Sequence, residues 1–285
     1  MDPRDSGRIA RRLEPLHSMI YFAPEAEERF AEVGLKRGRM SYFAGRAAAM
    51  GPVGAGAVAA TFYNFNPALV ARCIPAAWER ATPETVISAR FAAVDAALRR
   101  MLGDDVAASA EMAEAAGLAR KAAESCTTDG RPLAAAHLEL DWPREPHLQL
   151  WHALTILREH RGDGHVALLL AAELPGLEAL ISLTASGRGF VVPFAQASRG
   201  WSEEEWDAGV ARLQGRGVLD ADGGLSAEGA ALRKRLEDDT NRLGAAPWTH
   251  LGADGAARLA EIGGGLVGAL LAAGCFPEGV FVTAR

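Results

Sequence analysis

The sequence predicts a mainly α-helical protein made of two tandem domains, each with a short β-hairpin. Apolar residues recur at helical spacing along most of the 285 residues. Segments of the first half resemble segments of the second half. Near residue 220, a helix, a short apolar–turn–apolar segment and another helix follow one another. With 49% hydrophobic residues the chain is long enough to bury roughly two cores, which excludes a disordered protein.

The first half is predicted to be helical throughout. Ile9, Leu13 and Leu16 lie on one face of a first helix, and a second helix follows the break at Pro24. Further helices are expected between the glycine and proline breaks, at about 40–50, 56–73, 83–101 and 107–125.

Domain boundaries follow from the composition. Residues 127–147 contain several turn formers and alternate in polarity, so they are interpreted as a linker. The predicted domains are therefore residues 1–126 and residues 148–285.

An internal repeat supports the division into two domains. Self-comparison at offsets of 108 and 117 aligns 54–59 with 162–167, 66–69 with 174–177, and 109–111 with 226–228. In the first pair, both segments carry a Gly-x-Gly turn before a predicted helix. We interpret the repeat as an ancient tandem duplication. The alternative is chance similarity in a chain rich in Ala, Gly and Leu.

The second domain has the clearest local signals. Ser202 and Glu205 have the spacing of a capping box, in which each side chain accepts the other's backbone N–H. Residues 218–225 are predicted to form a hairpin, and Ser226 to cap the next helix. This order of helix, hairpin and helix is that of a winged helix. Together with the repeat, it predicts two degenerate winged-helix-like domains.

Two resemblances agree with this interpretation. The run RLQGRGVLDADGGLSAEGAALRKRLEDDTNRL resembles the recognition helix, wing and following helix of MarR-type winged helices. The whole chain resembles an actinobacterial helix-turn-helix family through EPLHSMIYFAPEAEERFAEVGL, YFAGRAAAMGPVGAGAVAATFYNFNP and LWHALTILREHRGDGHVA. The second resemblance implies a fold and no particular activity.

DNA binding by this winged-helix segment is disfavoured by its charge. Residues 201–243 contain 10 acidic and 6 basic side chains. The predicted recognition helix begins with three glutamates, 203–205, and the predicted wing contains Asp220 and Asp222. These carboxylates would repel phosphates and forfeit the counterion release that supports DNA affinity. DNA is therefore kept only as an alternative partner.

Candidate ligand-binding residues fall into two clusters. In the second half, imidazole and guanidinium groups gather at a predicted helix corner, where they could bind a carboxylate: His152, Arg158, His160 and His165. In the first half, aromatic rings occur together with polar groups, as expected of a pocket for a flat organic ligand: His17, Tyr21, Tyr42, Arg46, Phe62, Tyr63, Asn64 and Asn66. The alternatives are helix-capping histidines and an aromatic core.

The sequence therefore predicts a protein that binds a small, largely apolar or aromatic metabolite between its domains, as a sensor or a sequestering protein. A DNA-binding winged-helix regulator is one alternative. The other is an enzyme that uses His/Arg acid–base chemistry in the same pocket.

Few further partners are indicated. The three widely spaced cysteines suggest a reducing cytoplasm. The longest apolar run, 263–276, is short of the ~20 residues that span a bilayer, so no membrane partner is expected. No cofactor is predicted. A metal or haem held by His17 and His152 is left open, although the spacing completes no ligand set. A homodimer is also left open.

Overall fold

The computed structural model describes residues 1–282, and these contain sixteen α-helices and no β-strand. The mainly α prediction is confirmed. The helices, in chain order α1 to α16, are Pro3–Ser18, Pro24–Glu32, Arg39–Ala47, Ala55–Phe62, Pro67–Ala71, Pro83–Leu102, Asp104–Ala107, Ala110–Ala123, Pro132–Leu138, Pro146–Ala171, Gly176–Ala185, Val192–Arg199, Glu203–Gly215, Ala227–Leu243, Ala246–Leu251 and Ala253–Ala272.

Several helices begin where the sequence places a capping side chain. The Ser202 hydroxyl accepts the backbone N–H of Glu205 at 3.1 Å, and the Glu205 carboxylate accepts the N–H of Ser202 at 2.9 Å, so the predicted capping box is confirmed. The hydroxyls of Ser109 and Ser226 also cap α8 and α14, by accepting the N–H groups of Met112 and Gly229 without a reciprocal bond. These caps satisfy N–H groups that have no partner within their helix.

The predicted hairpin wings are wrong. Between residues 218 and 226, the described chain forms only an isolated antiparallel bridge between Leu219 and Leu225. The Asp220 carboxylate accepts the N–H groups of Asp222 and Gly224, which closes a tight turn. Because α14 begins directly after this turn, no residues remain to extend a ladder. The prediction of tandem winged-helix-like domains therefore fails.

The predicted break between His160 and His165 is also wrong. Residues 162–164 lie inside α10, a continuous helix of 26 residues. The aligned residues 54–59, in contrast, begin the short helix α4. The first pair of repeat segments thus differs in structure, because only one member forms a turn.

The helices enclose two hydrophobic cores. The first core draws on both ends of the chain and includes the fully buried Trp151 and Phe43; its helices are α1 to α6, α8 to α10, α15 and α16. The second core is formed by α11 to α14 with the end of α10, around Leu174 and Leu213. Residues 127–147, predicted as a linker, contain α9, whose Leu133 belongs to the first core. Helix α10 therefore connects the two cores.

One described helix, α16, is long and apolar enough by composition to cross a membrane, and α10 with α11 passes the same test as a pair bent by 101°. In the structure, α16 packs along α1, where Gly263 lies against Leu13. Arg258 of α16 pairs with Glu114 of α8 at 2.8 Å. One face of α16 therefore serves as a wall of the first core.

Candidate functional site

A cavity of about 380 Å³ lies where the two cores meet, between α1, α10, α11 and α14. Its wall is mostly apolar and includes Leu157, Leu180 and Trp248. Seven of the predicted ligand-binding residues line it: His17, Arg46, Phe62, Tyr63, Asn64, Arg158 and His165. The structure thus brings together residues from both predicted clusters.

The other five predicted residues lie outside the cavity lining. Tyr21 and Tyr42 pack behind it, with ring centroids 5.3 Å apart. Asn66 caps α5 by accepting the N–H of Ala68 at 2.9 Å. His152 and His160 are buried elsewhere on α10.

His17 is held by hydrogen bonds at both ring nitrogens. Its Nδ1 lies 2.9 Å from the Thr155 hydroxyl, which itself donates to the carbonyl of Trp151. Nδ1 must therefore donate, and Nε2 accepts from the Tyr21 hydroxyl at 2.8 Å. Burial, reinforced by nearby arginines such as Arg158, lowers the pKa of His17 well below its usual value, so the ring is neutral at pH 7.

A shared carboxylate forms the charged centre of the cavity. Glu159 accepts from Arg46 at 3.1 Å and from Arg158 at 2.8 Å, and Arg158 also donates to Glu14 at 2.9 Å. The Glu159 side chain is only 4% exposed. Burial alone would raise the pKa of Glu159, but Arg46 and Arg158 outweigh it and lower this pKa to about 2. The carboxylate is therefore ionised and paired.

Aromatic rings surround the Arg46 guanidinium. Its central carbon lies 4.3 Å from the ring centroid of Phe62 and 5.8 Å from that of Tyr42. The Tyr42 hydroxyl accepts from Arg46 at 3.2 Å. The Nε of Arg46 is buried without a hydrogen-bond partner among residues 1–282. The rings of the predicted aromatic cluster therefore pack mainly around the buried Arg46 guanidinium.

A second group of cations lies at the α14 side of the cavity. Arg161 donates to Glu237 at 2.9 Å, but its Nε is buried and lacks a partner in the described part of the chain. Arg233 also lines the cavity and has no ion pair within residues 1–282. Burial lowers the pKa of Arg233, and the nearby charge of Arg188 adds to this effect, whereas Glu237 opposes it. This end of the cavity therefore has guanidinium N–H groups that lack an acceptor in the described part of the chain.

His165 lies beside these cations. Its Nδ1 is 2.8 Å from the Thr240 hydroxyl, which donates to the carbonyl of Leu236, so Nδ1 carries the proton. Nε2 is then an acceptor and makes no hydrogen bond to the described residues. Burial, with Arg233 and Arg161, lowers the pKa of His165 to about 4, so the ring is neutral at pH 7.

Asp163 lines the cavity in a structural role. Its carboxylate accepts the backbone N–H groups of Leu133 at 3.0 Å and Ala134 at 2.9 Å, at the start of α9. Burial raises the pKa of Asp163 to about 6. The carboxylate therefore caps α9 and fastens it to α10.

The loop after α4 fastens the first core to the second. Tyr63 has a positive φ of 54°, which is uncommon for a residue other than glycine. Its hydroxyl donates to the carbonyl of Leu174 at 2.8 Å, and its own carbonyl lies against Gly176. The indole of Trp201 donates to the carbonyl of Asn64 at 2.9 Å. These contacts stabilise the strained turn and place Tyr63 and Asn64 at the cavity.

His152 belongs to a separate aromatic cluster. Its ring lies 4.8 Å from that of Trp142 and 6.2 Å from that of His137, measured between centroids. Neither ring nitrogen of His152 has a hydrogen-bond partner among residues 1–282. His17 instead stacks on Trp151, so the two histidines do not form a common site. No group of three metal-ligating side chains occurs in the described residues.

The sequence clusters did not include several residues that complete the site. Glu159 lies four residues after Thr155 on α10, so helical spacing placed it on the relevant face. Glu14 and Arg233 had no local signal, because their role depends on the approach of α1 and α14 to α10.

Comparison with protein-family models gives one informative match. A model described as a helix-turn-helix family matches residues 6–277. The chain belongs to this family. No curated protein and no solved structure matches it. The resemblance to MarR-type proteins and the actinobacterial origin stay predictions.

The family match makes duplex DNA a reasonable partner, but the surface first considered for it is acidic. Glu203 and Glu204 are exposed at the start of α13, and Glu205 is used in the capping box. The single cation on this helix, Arg212, pairs with Glu178 at 2.7 Å. The segment 201–243 therefore offers few free cations to phosphates.

Proposed function

We propose that this helix-turn-helix family member binds a small organic acid in the cavity between its two cores, as a ligand sensor or a sequestering protein. The observation that carries the proposal is a partly open cavity of about 380 Å³ whose wall is mostly apolar. Near α14 it holds Arg233, which makes no ion pair within residues 1–282, and Arg161, whose buried Nε has no partner there. Ligand sites are typically clefts of about 300–1,000 Å³ with a few placed polar groups.

The charge of the lining favours an anion. Five arginines and three acidic residues line the cavity, and both of its histidines are neutral. Glu159 is already shared by two arginines, whereas Arg161 has a buried Nε without an acceptor and Arg233 makes no ion pair within residues 1–282. A carboxylate is the ligand group that fits such donors, because guanidinium–carboxylate hydrogen bonds are charge-assisted. The apolar body of the ligand would lie against Leu180 and Leu183.

A second hollow, of about 650 Å³, is a weaker candidate. It lies beside Pro67 and Trp201, and its wall includes Leu170, which is 70% exposed. Its charged side chains are Glu173 and Arg212. A shallow groove with so few directing groups would fix the orientation of a small ligand poorly.

Binding is favoured over acid–base catalysis. The enzyme hypothesis drew on His152, Arg158, His160 and His165, of which His152 and His160 do not line the cavity. His17 does, but both of its nitrogens are engaged by Thr155 and Tyr21. The proposal includes a cytoplasmic location, in line with three free cysteines, all of them buried. A homodimer stays a prediction.

The test compares small aromatic and alicyclic carboxylates with their primary amides, by thermal shift and then by calorimetry. We expect at least one acid to bind and its amide to bind at least tenfold more weakly. Arg233→Gln should weaken binding of the acid by about 10- to 100-fold, as expected for the loss of a charge-assisted hydrogen bond. Arg235→Gln, an exposed neighbour on α14, is the matched control and should leave binding unchanged.

A cavity-filling variant separates binding in the cavity from binding elsewhere. Leu183→Trp places an indole in the cavity and should abolish binding of acids and amides alike. The proposal fails if no compound raises the melting temperature, if amides bind as tightly as acids, or if Leu183→Trp binds like the wild type.

A further inference from the structure

A long segment of the chain is free of acidic residues. Residues 33–78 contain no aspartate or glutamate, although the chain has 36 acidic residues in total. The segment covers the turn between α2 and α3 and continues through α5. Apart from Arg46, which pairs with Glu159, its cations and Arg80 just after it are exposed or half-exposed and have no ion pair within residues 1–282: Lys36, Arg37, Arg39, Arg72 and Arg80. We name these residues the basic face.

One hydrogen bond and one shared electrostatic effect link members of the basic face. The Arg80 guanidinium donates to the carbonyl of Gly34 at 3.3 Å, in the same turn as Lys36 and Arg37. Burial raises the pKa of the Cys73 thiol, and the charges of Arg72 and Arg39 both oppose that rise. Arg39 at the start of α3 and Arg72 at the end of α5 are therefore both near the Cys73 thiol.

Three carboxylates border the basic face, and one of them, Glu32 at the end of α2, pairs with Arg29 at 3.0 Å. Glu27 of α2 accepts the N–H of Gly38 at 2.9 Å and the hydroxyl of Ser41 at 3.4 Å, so it is engaged at the start of α3. Glu79 is exposed beside Arg80. The cations outnumber these acids, so the face remains positive on a chain whose net charge is −6.

We propose that the basic face binds the phosphate backbone of duplex DNA. A membrane surface fits less well, because residues 33–80 include no exposed large apolar side chain to enter it. Single-stranded nucleic acid also fits less well, because the aromatic rings in this region, such as Phe43 and Phe65, are buried or half-buried and offer no stacking platform. Unpaired Lys and Arg are the groups that neutralise phosphates.

The fold also defines the kind of contact. Most of α3 is buried, including Met40, Phe43 and Ala47, so this helix is not free to lie in a major groove. The basic face therefore contacts phosphates and does not read bases. This proposal does not depend on the ligand cavity, whose lining contains none of the five cations.

Binding of a mixed-sequence 20-base-pair duplex, followed by fluorescence anisotropy from about 20 to 200 mM salt, tests the proposal. The test variant is Lys36→Gln/Arg37→Gln/Arg72→Gln, and the matched control is Lys121→Gln/Arg144→Gln/Arg235→Gln. All six side chains are exposed, and each triple variant lowers the net charge equally. The control therefore accounts for general repulsion from the duplex.

We expect the wild type to bind weakly, with a dissociation constant on the order of 10⁻⁵ M at low salt. The basic-face variant should bind at least tenfold more weakly, and its log–log salt slope should be smaller by about 3. The control should stay within about twofold of the wild type. The proposal is overturned if the wild type does not bind at ~20 mM salt, or if both triple variants lose affinity equally.

Discussion

Each core of this protein contains one buried glutamate shared by two arginines, and the two groups differ in how much water reaches the arginines. Glu159 is 4% exposed, and its partners Arg46 and Arg158 are 11% and 30% exposed. Glu178 is 5% exposed, but its partners Arg212 and Arg216 are 53% and 36% exposed.

A glutamate shared by two arginines therefore has a different environment in each core. In the first core, the ionic centre is surrounded by the Phe62 ring, an apolar wall and a cavity. In the second core, Arg212 and Arg216 extend into water and fasten α13 and the turn after it to α11. A buried guanidinium depends on its carboxylate, whereas an exposed one is readily hydrated.

The largest expected effect comes from removing each shared carboxylate. Glu159→Gln leaves Arg46 and Arg158 without their common anion and should lower the free energy of unfolding by about 3–5 kcal/mol. Glu178→Gln should cost about 1–2 kcal/mol, because its arginines can be solvated. Urea denaturation of both variants measures the difference.

High salt sharpens this comparison. The deficit of Glu178→Gln should shrink in 1 M NaCl, where exposed charges are screened, and that of Glu159→Gln should persist. Glu14→Gln, which removes a 39% exposed partner of Arg158, should cost less than about 1 kcal/mol. Equal losses for the two shared glutamates would contradict the contrast between the cores.

The next effect is a pH dependence that arises outside the second core. Residues 169–236 contain no histidine, whereas burial lowers the pKa values of His17, His137, His152, His160 and His165. These rings are neutral in the folded chain, and the unfolded chain protonates them below about pH 6.5. Stability should therefore be complete above pH 6.5 and fall as the pH decreases towards 4.

His152 gives this prediction a magnitude. Burial, with the charges of Arg90 and Arg120, lowers the pKa of His152 to about 4, so its share of the loss between pH 7 and pH 5 is roughly 2 kcal/mol. His152→Leu should lose about that much less stability over the same interval. Asp163, whose burial-raised pKa is about 6, acts in the opposite direction. Hydrogen exchange at pH 5 should show α10 opening before α13, and the reverse order would contradict the assignment.

The smallest effect compares free space in the two cores. A Cβ added to Gly162 on α10 would lie 3.6 Å from its nearest neighbour, an oxygen of Glu159, whereas one added to Gly209 on α13 would lie 2.6 Å from Ile181. Gly162→Ala should therefore stabilise the protein by about 0.5–1 kcal/mol through helix propensity. Gly209→Ala should destabilise it by roughly 1–2 kcal/mol through overpacking. Thermal unfolding distinguishes the two, and stabilisation by both would show that the second core is not closely packed.

Predictions from local sequence succeeded where the physical cause is local. The capping box of Ser202 and Glu205 needs only residues within one helical turn, so the chain order fixes it. The prediction of a hairpin at 218–225 was wrong because strand pairing needs flanking residues to extend the ladder, and α14 begins at Ala227. The predicted helix break at Gly162 was wrong because contacts with residues outside α10 stabilise the helix there. The Asp163 carboxylate caps α9, and Arg131 packs against Gly164 and donates to the carbonyl of His160.

The sequence by itself determined the helical class, several helix starts and the residue types of the site, because periodicity and capping act over a few residues. Only the tertiary structure decided which of those residues meet. Arg46 and Glu159 are 113 positions apart, and no spacing rule predicts that a buried cation on α3 will find its carboxylate on α10. That pairing follows from the packing of α1, α3 and α10, because an ionised group removed from water needs a partner that only the folded chain can bring within reach.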